Sequence, residues 1–247
     1  MSSFWLALQF LTRLPTPGVG SIDAQLVGRS LVWYPLVGLL LGAILWGTAM
    51  LLQDHDPLLA AAVLLTLWVV LTGALHLDGL ADTADAWVGG LGDRERTLAI
   101  MKDPASGPVG VTALVLMLLL KFAALAALMR AGEVLVLLLI PPLARSGVAL
   151  LFVTTPYVRP GGLGEALSKH APRRSVIAGA LAVIALFFTV SGMGGGMVLA
   201  ALLLLWLWLR RAVMHRLGGF TGDIAGAVLE LLECAVLLVI VLVEPYM

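Results

Sequence analysis

Charge is what this chain has least of: 12% of its 247 residues are Asp, Glu, Lys or Arg, about half the ~25% of a soluble domain. A soluble protein needs polar surface to face water, and a chain that is 61% hydrophobic has too little of it. Cysteine is almost missing. Cys234 stands alone, which excludes a disulfide scaffold and a cysteine-built zinc centre. Runs of like charge and low-complexity tracts are absent, and fifteen basic residues balance fifteen acidic ones. Nothing therefore suggests disorder or a nucleic-acid partner. The first twenty residues lack a basic n-region and carry Arg13 and two prolines, so no cleavable signal is expected. A polytopic membrane protein remains.

Apolar stretches long enough to cross a bilayer, ~20 residues each, fall at about 31–52, 58–76, 109–129, 134–153, 175–191, 197–209 and 224–243. They predict an all-α fold of about seven transmembrane helices, with residues 1–247 forming one integral membrane domain. The stretch from Phe4 to Leu14 is too short to span and is expected to form an interfacial helix with Arg13 at the headgroup level. Twelve of the fifteen basic residues fall before the first span or in the loops 77–108, 154–174 and the 210–223 connection. Those segments are therefore expected to face the cytoplasm, and the C-terminus to lie outside.

Acidic residues are scarce, yet five of the nine aspartates lie between Asp78 and Asp103. Within HLDGLADTADA, residues 76–86, Asp78, Asp82 and Asp85 stand at i, i+4 and i+7, one face of a helix. A solvated helix face needs no such spacing. The neighbours Gly79, Ala81, Ala84 and Ala86 are small, which lets something bulky approach the backbone. Like charges this close are tolerated with a cation between them. Carboxylates sharing it with phosphate oxygens suit Mg²⁺ better than Zn²⁺, for which no HExxH exists.

A second polar group is Thr221-Gly222-Asp223, entering the last span, with Glu230 and Glu233 deeper on nearly the same stripe. Asp223 is either a helix cap or a site residue. Carboxylates at the depth of Glu230 face a cavity or a partner. The basic residues well inside the membrane are Lys121 and Arg145; Arg145 either closes an ion pair or grips a substrate phosphate, and the second is preferred. His76, just before the aspartates, is either simply hydrogen-bonded or positions a ligand. Gly107 and Gly110, beside Lys102-Asp103, are a weak phosphate-loop signal.

Together with the opening FLTRLPTP, the Tyr34-Pro35-x-x-Gly38 of the first span and TGDIAGA at the last, the HLDGLADTADA motif resembles the cobalamin synthase family, the adenosylcobinamide-GDP ribazoletransferases. The likeness runs the whole length in the same order. A partial likeness to the CDP-alcohol phosphotransferases lies in the spaced aspartates, without the Ala-Arg that follows the first Asp-Gly there. The resemblance implies a catalytic domain in the cell (inner) membrane that uses Mg²⁺. Its reaction joins adenosylcobinamide-GDP to α-ribazole or its 5′-phosphate and releases GMP. It implies Asp78, Asp82 and Asp85 as metal ligands and Asp85, Asp103 or Asp82 as catalytic carboxylates. His76, Lys102, Arg145, Arg13 and Asp223 would be substrate contacts. The expected partners are these small molecules, membrane lipid and, in a homo-oligomer, further copies of the chain. Where many relatives carry Asp-Ser, this chain has Asp103-Pro104.

Two other classes fit the composition. A secondary transporter would use the intramembrane carboxylates with Lys121 and Arg145 as an ion path. Against it, no inverted repeat is visible and the aspartates lie at a helix end rather than the midplane. A scaffold subunit gives three stacked carboxylates no purpose.

Overall fold

The computed structural model describes residues 2–18, 20–161 and 163–243, with the side chain of residue 193 left aside. The expected external C-terminus, residues 244–247, lies outside the described residues. Eleven helices run in order among them: α1 (Ser2–Leu11), α2 (Ala24–Ser30), α3 (Tyr34–Leu52), α4 (Pro57–Thr72), α5 (Leu75–Gly89), α6 (Arg94–Ile100), α7 (Pro108–Ala131), α8 (Ile140–Thr154), α9 (Leu163–His170), α10 (Arg173–Leu217) and α11 (Gly222–Val243). The fold is all-α, as the apolar periodicity requires.

Six segments are long and apolar enough to cross a membrane, and the α4–α5 pair makes a seventh if taken as one bent span. The expected seven-span arrangement follows when α4 is the second crossing. Short start signals set the ends. Asp56 accepts the N–H of Leu58 and Leu59, each at 3.0 Å, ahead of Pro57 at the first turn of α4. At the other end of α4, Gly73 and Ala74 both have left-handed backbone (φ 63° and 56°), which stops the helix and turns α5 away by 87°. We place α5 outside the spanning segments for that reason. The expected span ran to residue 76, four residues past the end of α4, because Ala74 and Leu75 carry on the apolar pattern. Between the expected spans 175–191 and 197–209 lies a break at Gly192 (φ 57°, ψ −143°), which divides α10 into two spanning limbs.

Long-range hydrogen bonds tie the non-spanning helices α5 and α6 to the end of α10 and to the neighbouring loops. Val158 N–H donates to the Phe220 carbonyl and Phe220 N–H to the Pro156 carbonyl, both at 3.0 Å. Arg216 reaches back to the Trp87 carbonyl at 2.7 Å and the Thr97 hydroxyl at 3.2 Å, while Arg94 donates to the Leu217 carbonyl at 2.9 Å. These bonds join α5, α6 and the loops before α9 and α11 into one polar cap. Helix α1 buries Leu6, Ala7, Leu8 and Leu11 beside α2 and α3. α2 packs on α9, where Gly28 meets the His170 backbone. The outward residues of the spans, such as Leu116, Leu119, Leu203 and Leu204, are exposed and aliphatic, as lipid-facing positions should be.

Candidate active site

Helix α5 lies against the start of α11, and glycine sets the distance. A Cβ on Gly79 would fall 2.6 Å from the Asp223 carbonyl oxygen and 3.1 Å from its Cα, so only glycine allows this crossing. The aspartates of α5 are thereby brought beside Asp223. Thr221 caps α11, its hydroxyl accepting the Ile224 N–H at 3.3 Å, and this leaves Asp223 in the first turn, free for other work. The cap reading of the Thr-Gly-Asp motif thus belongs to Thr221.

Asp78 is exposed, whereas Asp82 and Asp85 are half-buried. Partial burial, and then the charges of Asp78, Asp223 and Asp85, push the Asp82 carboxyl up from 3.8 to about 6. Four carboxylates therefore share one field. Opposite them stands Arg159, whose guanidinium donates to Asp223 Oδ2 at 2.9 Å. Arg159 also lines, with Lys102 and Thr221, a crevice of about 50 Å³. Arg159 had no signal in the sequence beyond being one of several loop bases.

Asp85 has a different setting from its two neighbours. Its Oδ2 accepts the Gly107 N–H at 2.6 Å and its Oδ1 the Gly110 N–H at 2.9 Å. A Cβ on Gly110 would fall 2.4 Å from Asp85 Oδ2. The glycines that resembled a phosphate loop thus wrap a carboxylate of the protein itself and fasten the start of α7 to α5. The small residues of α5 likewise admit neighbouring helices, α11 at Gly79 and α7 beside the Ala81 carbonyl.

The remaining candidates are dispersed. Asp103 is exposed and accepts the Ala105 N–H at 3.0 Å; no bond ties it to the aspartates of α5. Arg13 is exposed and its side chain lies over Gly73 at the α4–α5 turn. His76 is buried in the first turn of α5, lines a cavity of about 270 Å³ together with Asp78 and Asp223, and its enclosed Nδ1 has no partner among the described residues. Arg145, expected on a substrate phosphate, is fully buried and its Nη1 pairs with Glu233; it lines neither this cavity nor the crevice. Glu233 also accepts from Lys121 Nζ at 2.7 Å, as does Glu230 at 2.5 Å. The Lys121 ammonium sits 4.9 Å from the centre of the Trp68 ring. This buried quartet ties α7, α8 and α11 and is charge-neutral.

Among the described residues, no three His, Cys, Asp or Glu side chains gather closely enough to form a ready-made cation cage. Zinc, which takes such cages, is not suited. A hard cation that completes its shell with substrate oxygens and water is, since Mg²⁺ usually takes one or two carboxylates plus phosphate.

Comparison with known proteins decides the family. The cobalamin-5-phosphate synthase (CobS) family model matches residues 3–241. The chain belongs to that enzyme family. It is 58% identical over 244 residues to an adenosylcobinamide-GDP ribazoletransferase of Pseudomonas paraeruginosa, covering 98% of both chains. The enzyme of the same name from Pseudomonas aeruginosa is 57% identical over 98% of both chains. That of Pseudomonas putida is 57% identical over 96% of this chain and 98% of its own. No solved structure matches the chain.

Proposed function

We propose that this protein is an adenosylcobinamide-GDP ribazoletransferase that depends on Mg²⁺ and works at the cytoplasmic face of the cell (inner) membrane. It joins adenosylcobinamide-GDP to α-ribazole or its 5′-phosphate and yields adenosylcobalamin, or its 5′-phosphate, and GMP. A ribazole oxygen forms a bond to the corrinoid-side phosphorus, the bond from that phosphorus to the bridging oxygen breaks, and GMP leaves. The observation that carries the reading is the convergence of Asp78, Asp82, Asp85 and Asp223, from two helices, beside Arg159.

Phosphoryl transfer asks a protein mainly for positioning and charge neutralisation. Asp78 and Asp82, with no bond to other residues among those described, would hold the cation together with pyrophosphate oxygens. Once bound, Mg²⁺ offsets the charge that grows on the leaving phosphate. Arg159 and Lys102 give the donor phosphates two positive contacts from the loop side. Asp223, held through Oδ2 by Arg159, keeps Oδ1 for the acceptor hydroxyl and takes its proton. Asp85 holds the cluster to α7. The sorting of basic residues to the polar cap supports its cytoplasmic placement.

The test is turnover by the purified protein in lipid nanodiscs, given both substrates. Stoichiometric GMP and corrinoid product with Mg²⁺, and neither with EDTA, is the expected result. Absence of turnover with both substrates and Mg²⁺ would refute it.

A further inference from the structure

The cavity of about 270 Å³ beside Asp78 and Asp223 is built from six helices and the loop before α9. Phe10 and Leu11 of α1 and Leu163 and Leu167 of α9 cover it, Val148 and Phe152 of α8 and Leu229 of α11 form its walls, and the aromatic rings of Tyr34 and Tyr157 reach it from two sides. Most of the lining is therefore apolar, with aromatic faces on more than one side. Polar groups are few and specific. His76 lines it as well, but its Nδ1 is enclosed by protein, without a partner among the described residues, and the carboxylates of Asp78 and Asp223 stand along one edge.

We propose that this cavity takes the base of the acceptor nucleoside, a flat, apolar, bicyclic aromatic ring. The proposal rests on the transferase reading and deepens it. Size selects between the two substrates: the cavity is at the small end of ligand pockets, and a corrinoid macrocycle with its side chains cannot enter. Polarity selects again. Guanine presents donors and acceptors on most of its edge, and this lining would leave them unpaired, whereas an alkylated benzimidazole-type ring leaves only apolar edges against Phe152, Val148 and Leu229. Position agrees. A base seated here sets its ribose at the Asp78–Asp223 edge, where the attacking hydroxyl has to lie. Three larger apolar cavities do not compete: one of about 330 Å³ between α8, α10 and α11 contains no site residue, one of about 380 Å³ lies on the face of α5 turned away from its aspartates, and one of about 400 Å³ is an open hollow along α4 alone.

The experiment narrows the cavity from two helices independently. Val148→Phe on α8 and Ala225→Phe on α11 fill it without touching a carboxylate. Steady-state kinetics on the nanodisc-embedded protein then separate the two substrates, and equilibrium dialysis of α-ribazole against the same protein gives its affinity without turnover. The expected result is a rise of at least tenfold in KM and dialysis Kd for α-ribazole in either folded variant, with KM for adenosylcobinamide-GDP within twofold of the parent. Unchanged α-ribazole constants in a folded variant, or a rise confined to the corrinoid substrate, would overturn the proposal. Should both filled variants misfold, competition on the unmodified protein decides. Free dimethylbenzimidazole competitive against α-ribazole and not against the corrinoid supports the assignment, and no competition overturns it. Absence of transfer by the unmodified protein would instead refute the transferase reading itself.

Discussion

Helix α11 contributes to two ionic groups that obey opposite rules. At its start, Asp223 joins Asp78, Asp82 and Asp85, with Arg159 as the paired cation, in partial contact with water. Two turns further in, Glu230 and Glu233 meet Lys121 and Arg145, all at most 4% exposed. The deep group balances two charges of each sign, as a low-dielectric interior requires, and has nothing left for a ligand's charge. The shallow group carries excess negative charge that the protein does not neutralise. An imbalance held in place by a glycine crossing at Gly79 is useful only if something positive arrives. On the proposed reading the deep group is structural and the shallow one chemical.

Removing one deep carboxylate is the severest way to break this contrast. Glu233→Gln leaves Arg145 without a counter-charge and weakens Lys121, at a cost of ~3–5 kcal/mol. Folded yield after detergent extraction should collapse, with the surviving fraction still turning over. Asp78→Asn should do the opposite: normal yield, and turnover down by about 10²–10³, the usual effect of losing one charge-stabilising group in a site. Asp85→Asn falls between them. An amide sets an N–H against the N–H of Gly107 or Gly110, costing ~1–3 kcal/mol and loosening the start of α7. Both melting temperature and rate should drop, and a loss of rate alone would return Asp85 to a purely chemical role.

The pH dependence gives the smallest effect and sharpens the comparison. Asp82 titrates near 6 in the folded chain against 3.8 ordinarily. A raised carboxyl pKa favours the fold when protonated, so this contribution is full below about 3.8 and lost as pH rises through about 6. Acid therefore does not weaken the cation-free fold through Asp82, but on the proposed reading it removes a cation ligand. Turnover should fall as pH drops through about 6, and excess Mg²⁺ should move that limb to lower pH. A limb that ignores Mg²⁺ would show that Asp82 does not bind it.

Much of this was legible in the chain because hydropathy and charge sort by depth. The aspartate row at i, i+4 and i+7 sits on one helix face, as its spacing says, and pairing of Glu230 with Lys121 follows from the cost of either alone. Other features depended on what faces what. Sequence alone does not tell a buried arginine that meets a carboxylate from one that meets a phosphate, and Arg145 meets Glu233. Gly107 and Gly110 have the small size a phosphate needs, and the anion they hold is Asp85. Arg159 comes to Asp223 across 64 residues, through a loop with neither period nor motif.

The most direct test measures folded yield and turnover per folded molecule, side by side, for Asp82→Asn and Glu230→Gln in nanodiscs with both substrates and Mg²⁺. The account predicts that Asp82→Asn is folded and almost inactive, while Glu230→Gln is poorly folded yet active in the fraction that survives. Contradiction would come from the reverse, an active Asp82→Asn protein beside a well-folded, inactive Glu230→Gln protein, which would put the chemistry at the deep carboxylates.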